Sequence, residues 1–227
     1  MNATQFRAAT FDCYGTLIDW EGGLGAFLYG LALRNGDEHP EPGRVFRERW
    51  EAIQFELVRG EYRAYREILA ESLRRWVEER GYAWEAADGE ALVRSMRSWQ
   101  PFPDTRPALE QARAAGPRLV IVSNTDRDIL EHTLRQLEVA FDMVVTAEDC
   151  RAYKPALKPF EQALARIGEP PETILHVAFG FKYDIGPAAS LGFRTAWINR
   201  HAEAPPGDAR PDYVWRDLWG LAELVGG

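Results

Sequence analysis

The feature that most constrains the fold is an alternation of strand-like and helix-like segments from residue 101 onward. Short apolar runs such as RLVIVSN and ILHVAFG are typical of buried strands, and the amphipathic runs PALEQARAAG and PFEQALARIG between them are typical of helices. Strands joined through helices require right-handed crossovers and form a parallel sheet covered on both faces. The sequence therefore predicts an α/β domain with a doubly wound parallel sheet, in which residues 6–12 form the first strand and DYVWRDL an edge strand.

Four helical segments interrupt this pattern after the first strand. Apolar residues recur three and four positions apart in LGAFLYGLALRNG, PGRVFRERWEAIQFELVRG, YRAYREILAESLRRWVEERG and WEAADGEALVRSMRSW. This spacing places the apolar side chains on one face of each helix. We expect residues 20–99 to be a helical domain inserted into the chain, with residues 1–19 and 100–227 forming the α/β domain.

Composition excludes several classes of function. The formal net charge of 227 residues is −8 and the Lys and Arg residues are scattered, which argues against a nucleic-acid partner. The two cysteines, Cys13 and Cys150, form no C-x-x-C motif, and no stretch approaches the roughly 18 apolar residues of a membrane span. We expect a cytoplasmic protein that binds a small molecule and no membrane. A homodimer is left open.

Polar side chains follow the ends of separate predicted strands. Asp12 follows the first strand, Ser123 and Asn124 end the second, Lys154 comes soon after the third, and Asp184 lies a few residues past the fourth. In an open parallel sheet, ligands bind outside the carboxyl ends of the strands, where the strand order reverses. The sequence therefore predicts that these five side chains meet at one edge of the sheet.

Such a set of groups suits nucleophilic chemistry. Lys154 would keep Asp12 ionised, because a nearby opposite charge lowers the pKa of a carboxyl group. Asp184 could hold Lys154 or activate water. Ser123 and the backbone N–H groups of the turn at residues 14–16 could hold an anionic part of the substrate.

Four segments that carry these residues, FDCYGTL, VIVSNTD, AYKPALKPF and ILHVAFGFKYDIGPAASLGF, are similar in order and context to the four motifs of the haloacid dehalogenase superfamily. The sequence resembles the 2-haloacid dehalogenase branch most, because YGTL follows the aspartate, FPDT precedes the second motif and WINR closes a late strand. The resemblance implies a Rossmann-like core with an inserted helical cap. It also implies that Asp12 attacks a carbon atom of a small 2-substituted carboxylate and forms an aspartyl ester, which water then hydrolyses.

Two positions depart from the phosphatases of this superfamily. Those enzymes carry a second aspartate two residues after the nucleophile and a magnesium-binding aspartate in the fourth motif, where this chain has Tyr14 and Phe179. Mg²⁺ needs several hard oxygen ligands, so Asp12 alone is a poor anchor for it. We therefore expect no metal and no cofactor, with Mg²⁺ required only if the protein is a phosphatase.

One stretch of three residues departs from the dehalogenases as well. That branch typically has a Ser-Ser-Asn stretch in the fourth motif, where this chain has Ala178, Phe179 and Gly180. Three alternatives therefore stay open: a Mg²⁺-dependent phosphatase, a C–N hydrolase of a substrate such as azetidine-2-carboxylate, and a catalytically silent binder.

The resemblance also suggests the substrate-binding residues. Besides the catalytic set Asp12, Lys154 and Asp184, we expect the substrate to be bound by a second group of residues: Tyr14, Thr16, Arg49, Ser123, Asn124 and Phe179. The cap should supply an arginine for the halide or the substrate carboxylate, and Arg49 is favoured over Arg47. Trp50 or Tyr62 would add an apolar wall. We also expect Asn124 to cap the helix DRDIL and His176 to be structural.

Overall fold

A six-stranded parallel sheet forms the centre of the computed structural model, which describes residues 6–40, 43–206 and 210–226. Its strands are β1 (Ala8–Phe11), β2 (Arg118–Ser123), β3 (Met143–Thr146), β4 (Ile174–Ala178), β5 (Arg194–Ile198) and β6 (Tyr213–Trp215). They lie in the order β3-β2-β1-β4-β5-β6, and every neighbouring pair is parallel. The predicted doubly wound parallel sheet is confirmed, with β6 at one edge.

The strand order reverses at β1. This strand pairs with β2 on one side and β4 on the other, and Phe11 is level with both Ile121 and Val177. The residues that directly follow β1, β2 and β4 therefore meet at one edge of the sheet. This is the position where parallel sheets of this kind bind ligands.

Helices cover both faces of the sheet. The α-helices of the described chain are α1 (Trp20–Arg34), α2 (Gly43–Val58), α3 (Tyr65–Glu79), α4 (Ala86–Ser95), α5 (Thr105–Ala115), α6 (Arg127–Leu137), α7 (Ala147–Cys150), α8 (Lys158–Ile167), α9 (Gly186–Ser190) and α10 (Trp219–Gly226). Phe11 and Ile121 belong to an apolar cluster with residues of α5, α6 and α10. Ala8 and Val122 belong to another, with residues of α8 and α9. Alternate strand residues thus face opposite layers.

Helices α1 to α4 form a layer of their own between β1 and α5. They pack α1 on α2, α2 on α3 and α3 on α4, and the buried side chains of α3 include Ile68, Leu69 and Trp76, at helical spacing. No helix in the described part of the chain is long and apolar enough to cross a membrane.

The chain leaves and re-enters the α/β domain at one place. Ile18 and Pro101 form an antiparallel bridge, Asp19 N–H donates to the carbonyl of Gln100 at 2.8 Å, and Phe102 N–H donates to the carbonyl of Leu17 at 3.1 Å. The first and last residues of the helical segment are therefore joined side by side.

Three details of the secondary structure differ from the predictions. The first strand is two residues shorter at its start and one shorter at its end than the predicted range 6–12. The segment FDMVVTAED is a strand only to Thr146, because Thr146 and Asp149 cap each other in a capping box and start α7. Helix α10 was not predicted, since its eight residues are too few to show a clear period.

Candidate active site

Asp12 directly follows β1, in a tight turn that leads into the helical segment. At Gly15 the backbone has φ of 96°, and a Cβ atom there would lie 2.7 Å from the indole nitrogen of Trp20 and 2.9 Å from the Phe179 ring. Only glycine fits this turn without displacing its neighbours. The side chain of Asp12 is nearly buried, and its Oδ2 accepts a hydrogen bond from the Thr16 hydroxyl at 2.8 Å.

Lys154 joins the predicted groups into one cluster. Its ammonium donates to Asp12 Oδ1 at 2.9 Å, to Asp184 Oδ1 at 2.6 Å and to the Val122 carbonyl at 2.9 Å, and its side chain is 1% exposed. All three donors of the ammonium group are therefore used. Burial opposes the charge on Lys154, but the two carboxylates outweigh it and raise the pKa of the ammonium above its usual range.

The two carboxylates differ in their surroundings. Burial raises the pKa of Asp12, and the charge of Asp184 adds to this effect, while Lys154 and Thr16 oppose it. Burial acts on Asp184 too, but there Lys154 and His176 outweigh it and hold the pKa below its usual range. Charges and hydrogen bonds thus compensate the burial of Asp184 but not that of Asp12, and a less stabilised carboxylate suits a nucleophile.

His176 supports Asp184 from inside the sheet. Its Nε2 lies 3.1 Å from Asp184 Oδ1, and its Nδ1 lies 2.8 Å from the Thr10 hydroxyl. The ring is fully buried in the middle of β4. The sequence predicted a structural residue at this position but gave no sign of the bond to Asp184, because strand periodicity indicates burial and not which residues a buried side chain contacts.

Ser123 and Asn124 lie beside this cluster at the end of β2. The Ser123 hydroxyl is buried and has no hydrogen-bond partner among the described residues, although the residue lines the pocket. Asn124 accepts from the Lys154 backbone N–H at 2.7 Å and donates to the Lys154 carbonyl at 2.9 Å. The prediction that Asn124 caps the next helix is therefore wrong, since both polar atoms of its side-chain amide hold the Lys154 loop and Asp126 occupies the N-cap position.

Thr16 and Phe179 form a second link beneath Asp12. The Thr16 hydroxyl, which donates to Asp12, accepts the backbone N–H of Phe179 at 2.9 Å. Thr16 is fully buried and is not among the residues that line the pocket, so the structure corrects the expectation that it contacts the substrate. Phe179 does line the pocket, and its carbonyl accepts from the Trp197 indole at 3.0 Å.

Tyr14 forms part of the pocket wall. Its hydroxyl lies 2.9 Å from the Thr133 hydroxyl of α6, and its ring packs edge-on against Trp99 with the centroids 6.1 Å apart. Burial raises the pKa of Tyr14 well above its usual range. A neutral phenol that is already hydrogen-bonded to Thr133 is a poor general acid near neutral pH.

The predicted cap arginine is absent from the pocket. Arg49 is about half exposed and pairs with Glu79, so the favoured prediction is corrected. Arg47 is buried instead, and its guanidinium donates to Glu21 at 2.8 Å and to Glu203 at 3.3 Å. Neither arginine lines the pocket.

The cavity over Asp12 is lined by both the helical segment and the α/β domain. Of the two residues proposed as an apolar wall, Trp50 lines it, whereas Tyr62 stacks on Tyr153 outside it. Further lining residues that the sequence reasoning missed are Trp20, Leu24, Glu51, Gln54, Tyr65, Leu69, Trp99, Gly180 and Tyr183. Most come from the helical segment, where an amphipathic pattern shows which face is buried but not what that face contacts.

The residues at the site do not fit a magnesium ion. Lys154 Nζ lies between Asp12 and Asp184, where a cation shared by the two carboxylates would have to sit. Tyr14 and Phe179 supply no further carboxylate, and the described residues contain no group of three His, Cys, Asp or Glu side chains placed to hold a metal ion. An octahedral oxygen shell cannot be built from these side chains.

Comparison with known proteins agrees with this geometry. A family model for haloacid dehalogenase-like hydrolases matches residues 6–192. An (S)-2-haloacid dehalogenase of Pseudomonas putida is 28% identical over 222 residues, covering 94% of each chain. A second, from Burkholderia cepacia, is 27% identical and covers 91% of this chain and 89% of the relative.

Solved structures match over almost the whole chain. The crystal structure of an L-2-haloacid dehalogenase superposes with a TM-score of 0.84 at 27% identity, covering 98% of this chain and 99% of the other. The L-2-haloacid dehalogenase of Xanthobacter autotrophicus with chloropropionic acid covalently bound has the same fold, with a TM-score of 0.80 at 22% identity and the same coverage. The chain therefore belongs to the haloacid dehalogenase-like hydrolase family.

Proposed function

We propose that this protein hydrolyses small 2-substituted carboxylic acids, with 2-haloacids foremost, through an ester of Asp12. The observation that carries the proposal is the environment of the Asp12 carboxylate, which is nearly buried and is held by Lys154 and Thr16 at the base of a largely apolar pocket. The similarity to (S)-2-haloacid dehalogenases over 94% of the chain supports the same reaction.

The first step forms the ester. A carboxylate oxygen of Asp12 attacks C2 of the substrate, the carbon–halogen bond breaks, and its electron pair leaves with the halide. A halide is a weak base and needs no proton to leave. Tyr14, whose hydroxyl is bound to Thr133, therefore suffices at a position where a phosphatase needs an acid.

The second step hydrolyses the ester and regenerates the Asp12 carboxylate. Water attacks the ester carbonyl carbon of Asp12, the 2-hydroxy acid departs, and one proton is released with it. Asp184 Oδ1 is held by Lys154 and His176, and a Cβ atom at Gly180 would lie 2.7 Å from Asp184 Oδ2. A side chain at position 180 would therefore press on that oxygen, and glycine leaves Asp184 free to orient the attacking water.

The substrate carboxylate and the cap complete the reaction. Ser123 has an unused hydroxyl in the pocket and would bind the carboxylate, while Tyr14 and Phe179 would form apolar walls. Residues 20–99 would act as the cap, opening to admit substrate and closing over the ester. The same donors around Asp12 would keep the reaction independent of metal.

The test is chloride release from (S)-2-chloropropionate, with and without EDTA. Wild-type protein should release chloride equally in both conditions. Asp12→Asn should abolish the release, while the control Asp217→Asn, at a half-buried residue outside the pocket, should not. In H₂¹⁸O, one turnover should place ¹⁸O in the Asp12 peptide, which mass spectrometry detects. Phosphate release from p-nitrophenyl phosphate that EDTA abolishes, with no chloride release, would contradict the proposal.

A further inference from the structure

The catalytic pocket presents no positively charged side chain that is available to a substrate. Among the described residues that line it, Lys154 is the sole cation, and its three donors are taken by Asp12, Asp184 and the Val122 carbonyl. The cap arginines Arg47 and Arg49 pair with glutamates outside the pocket. An anionic chain end that stays within this pocket would find no free counter-charge.

The cap contributes a carboxyl group to the pocket instead. Glu51 lies one helical turn after Arg47 on α2 and lines the pocket together with its neighbour Trp50. Burial raises the pKa of Glu51 to about 7, and the charges of Glu21 and Glu203 add to this effect. Arg47 and Lys182 oppose it but do not compensate. Glu51 is therefore a poorly solvated carboxyl group whose burial is only partly compensated by its two cationic neighbours.

A second cavity begins where Glu51 lies. It shares Glu51, Phe179, Gly180 and Tyr183 with the catalytic pocket. Its remaining lining residues are Phe181, Lys182, Trp197, Glu203, Ala204 and Pro206. Glu51 thus stands at the junction of two cavities. One contains the nucleophile, and the other contains several aromatic rings with one cation, Lys182, and one further carboxylate, Glu203.

We propose that Glu51 selects substrates whose carbon chain ends in an ammonium group, which it binds where the chain passes from the catalytic pocket into the second cavity. The inference rests on the proposed function for the reacting end of the substrate, whose carboxylate and C2 would lie at Ser123 and Asp12. What it adds is the chemical group at the other end of the substrate, away from C2.

The chemistry of the junction favours a cation over the two other kinds of chain end. An ammonium group would form charge-assisted hydrogen bonds with Glu51 and would also lie among aromatic rings, which attract cations. An alkyl end would desolvate the half-buried Glu51 carboxyl without giving it a partner, and a carboxylate end would be repelled by it. Among substrates of equal chain length, affinity should therefore depend on the charge of the chain end.

Three unreactive ligands of equal length separate these cases: 6-aminohexanoate, hexanoate and hexanedioate. We expect calorimetry on the wild-type protein to show 6-aminohexanoate binding about tenfold or more tightly than hexanoate, with hexanedioate weakest. Glu51→Gln should remove the preference, and Glu51→Lys should reverse it. Glu56→Gln changes the same charge on the exposed side of α2, where Glu56 pairs with Arg75, and should preserve it.

The 2-chloro derivatives of the same three acids test turnover. Their kcat/KM values for chloride release should follow the order found for binding. Equal binding of the three ligands by wild-type protein, or a preference that Glu51→Gln retains, would overturn the inference even if every chloro acid is hydrolysed. A binding preference without any chloride release would support Glu51 as the selecting residue and contradict the proposed function.

Discussion

At the scale of single residues, Lys154 determines the charge of the site. Its ammonium is shared by Asp12 and Asp184, so one positive charge serves two buried carboxylates. Such an arrangement is costly to break, because removing the cation leaves two like charges in a poorly solvated place. The lysine thus affects both the reaction and the stability of the fold.

Lys154→Met should lower kcat for chloride release at least about 100-fold, since it removes the group that orients Asp12. It should also lower the free energy of unfolding by about 3–5 kcal/mol near pH 8. Without the cation the folded-state pKa values of both carboxylates rise, so the folded variant gains protons as the pH falls. The deficit in the free energy of unfolding, measured by urea denaturation, should therefore be smaller near pH 5 than near pH 8.

Lys158→Met is the matched control, because Lys158 is exposed at the start of α8. It should leave kcat unchanged and change the free energy of unfolding little at either pH. A stability deficit of Lys154→Met that does not depend on pH would contradict the account of two unpaired carboxylates.

Ser123 offers a separate test at the same scale. Ser123→Ala should raise KM for 2-chloropropionate about tenfold, because a substrate hydrogen bond is lost, and should barely change the free energy of unfolding, because the hydroxyl has no partner among the described residues. Thr125→Val is the control. Thr125 also has a buried hydroxyl without a described partner, but it does not line the pocket. Equal KM changes in the two variants would show that Ser123 does not contact the substrate.

At the scale of secondary-structure elements, two short motifs far apart in sequence meet behind the nucleophile turn. Arg200, in WINR after β5, donates to both carboxylate oxygens of Asp104, in FPDT before α5, at 3.0 and 2.9 Å. Arg200 also donates to the carbonyl of Thr16 at 3.0 Å, and the Leu218 N–H donates to Asp104 at 2.8 Å. This bidentate pair joins β5, α5 and the loop that carries Thr16.

Burial raises the pKa of Asp104, but hydrogen bonds from Arg200 and from the Leu218 N–H outweigh it and lower the pKa below its usual range. An acid with a lowered folded-state pKa stabilises the fold above its unfolded pKa of about 3.9 and loses this contribution as the pH falls through the folded-state value. Arg200→Met should therefore lower the free energy of unfolding by about 3 kcal/mol at pH 7. The difference from wild type should narrow below about pH 4, as followed by urea denaturation.

Arg194→Met provides the comparison for this pair. Arg194 begins β5 and pairs with Asp212 at 2.7 Å, but its side chain is half exposed. Solvent screens such a pair, so the variant should unfold almost like wild type. If Arg194→Met lowers the free energy of unfolding as much as Arg200→Met does, the effect comes from changing strand β5 and not from breaking the buried ion pair.

At the scale of the whole molecule, the α/β domain is far easier to predict from the sequence than the contacts of the cap. The alternation after residue 100 predicts a parallel sheet, and a parallel sheet brings its carboxyl ends together, so the sequence alone groups Asp12, Ser123, Lys154 and Asp184. Each of these residues ends or follows a strand, and in a parallel sheet the segments that follow the strands lie at the same edge. Their positions in the sequence are therefore enough to predict that they meet.

The cap residues could not be found in the same way. Arg49 and Glu51 are two positions apart, which on an α-helix places them about 200° apart and therefore on nearly opposite faces. Periodicity shows that α2 has a buried face but not whether that face meets the nucleophile or another helix. The same limit applies to His176, whose bond to Asp184 depends on the turn that follows β4.

The joined ends of the helical segment have a consequence for how such a protein can change. Because Leu17 to Asp19 and Gln100 to Phe102 lie side by side, the cap is attached to the α/β domain as a closed loop. A different segment joined at these two places would leave the order of the strands as it is. Exchange of the cap, in evolution or by design, would therefore change which substrate enters the pocket, while Asp12, Lys154 and Asp184 stay on the α/β domain.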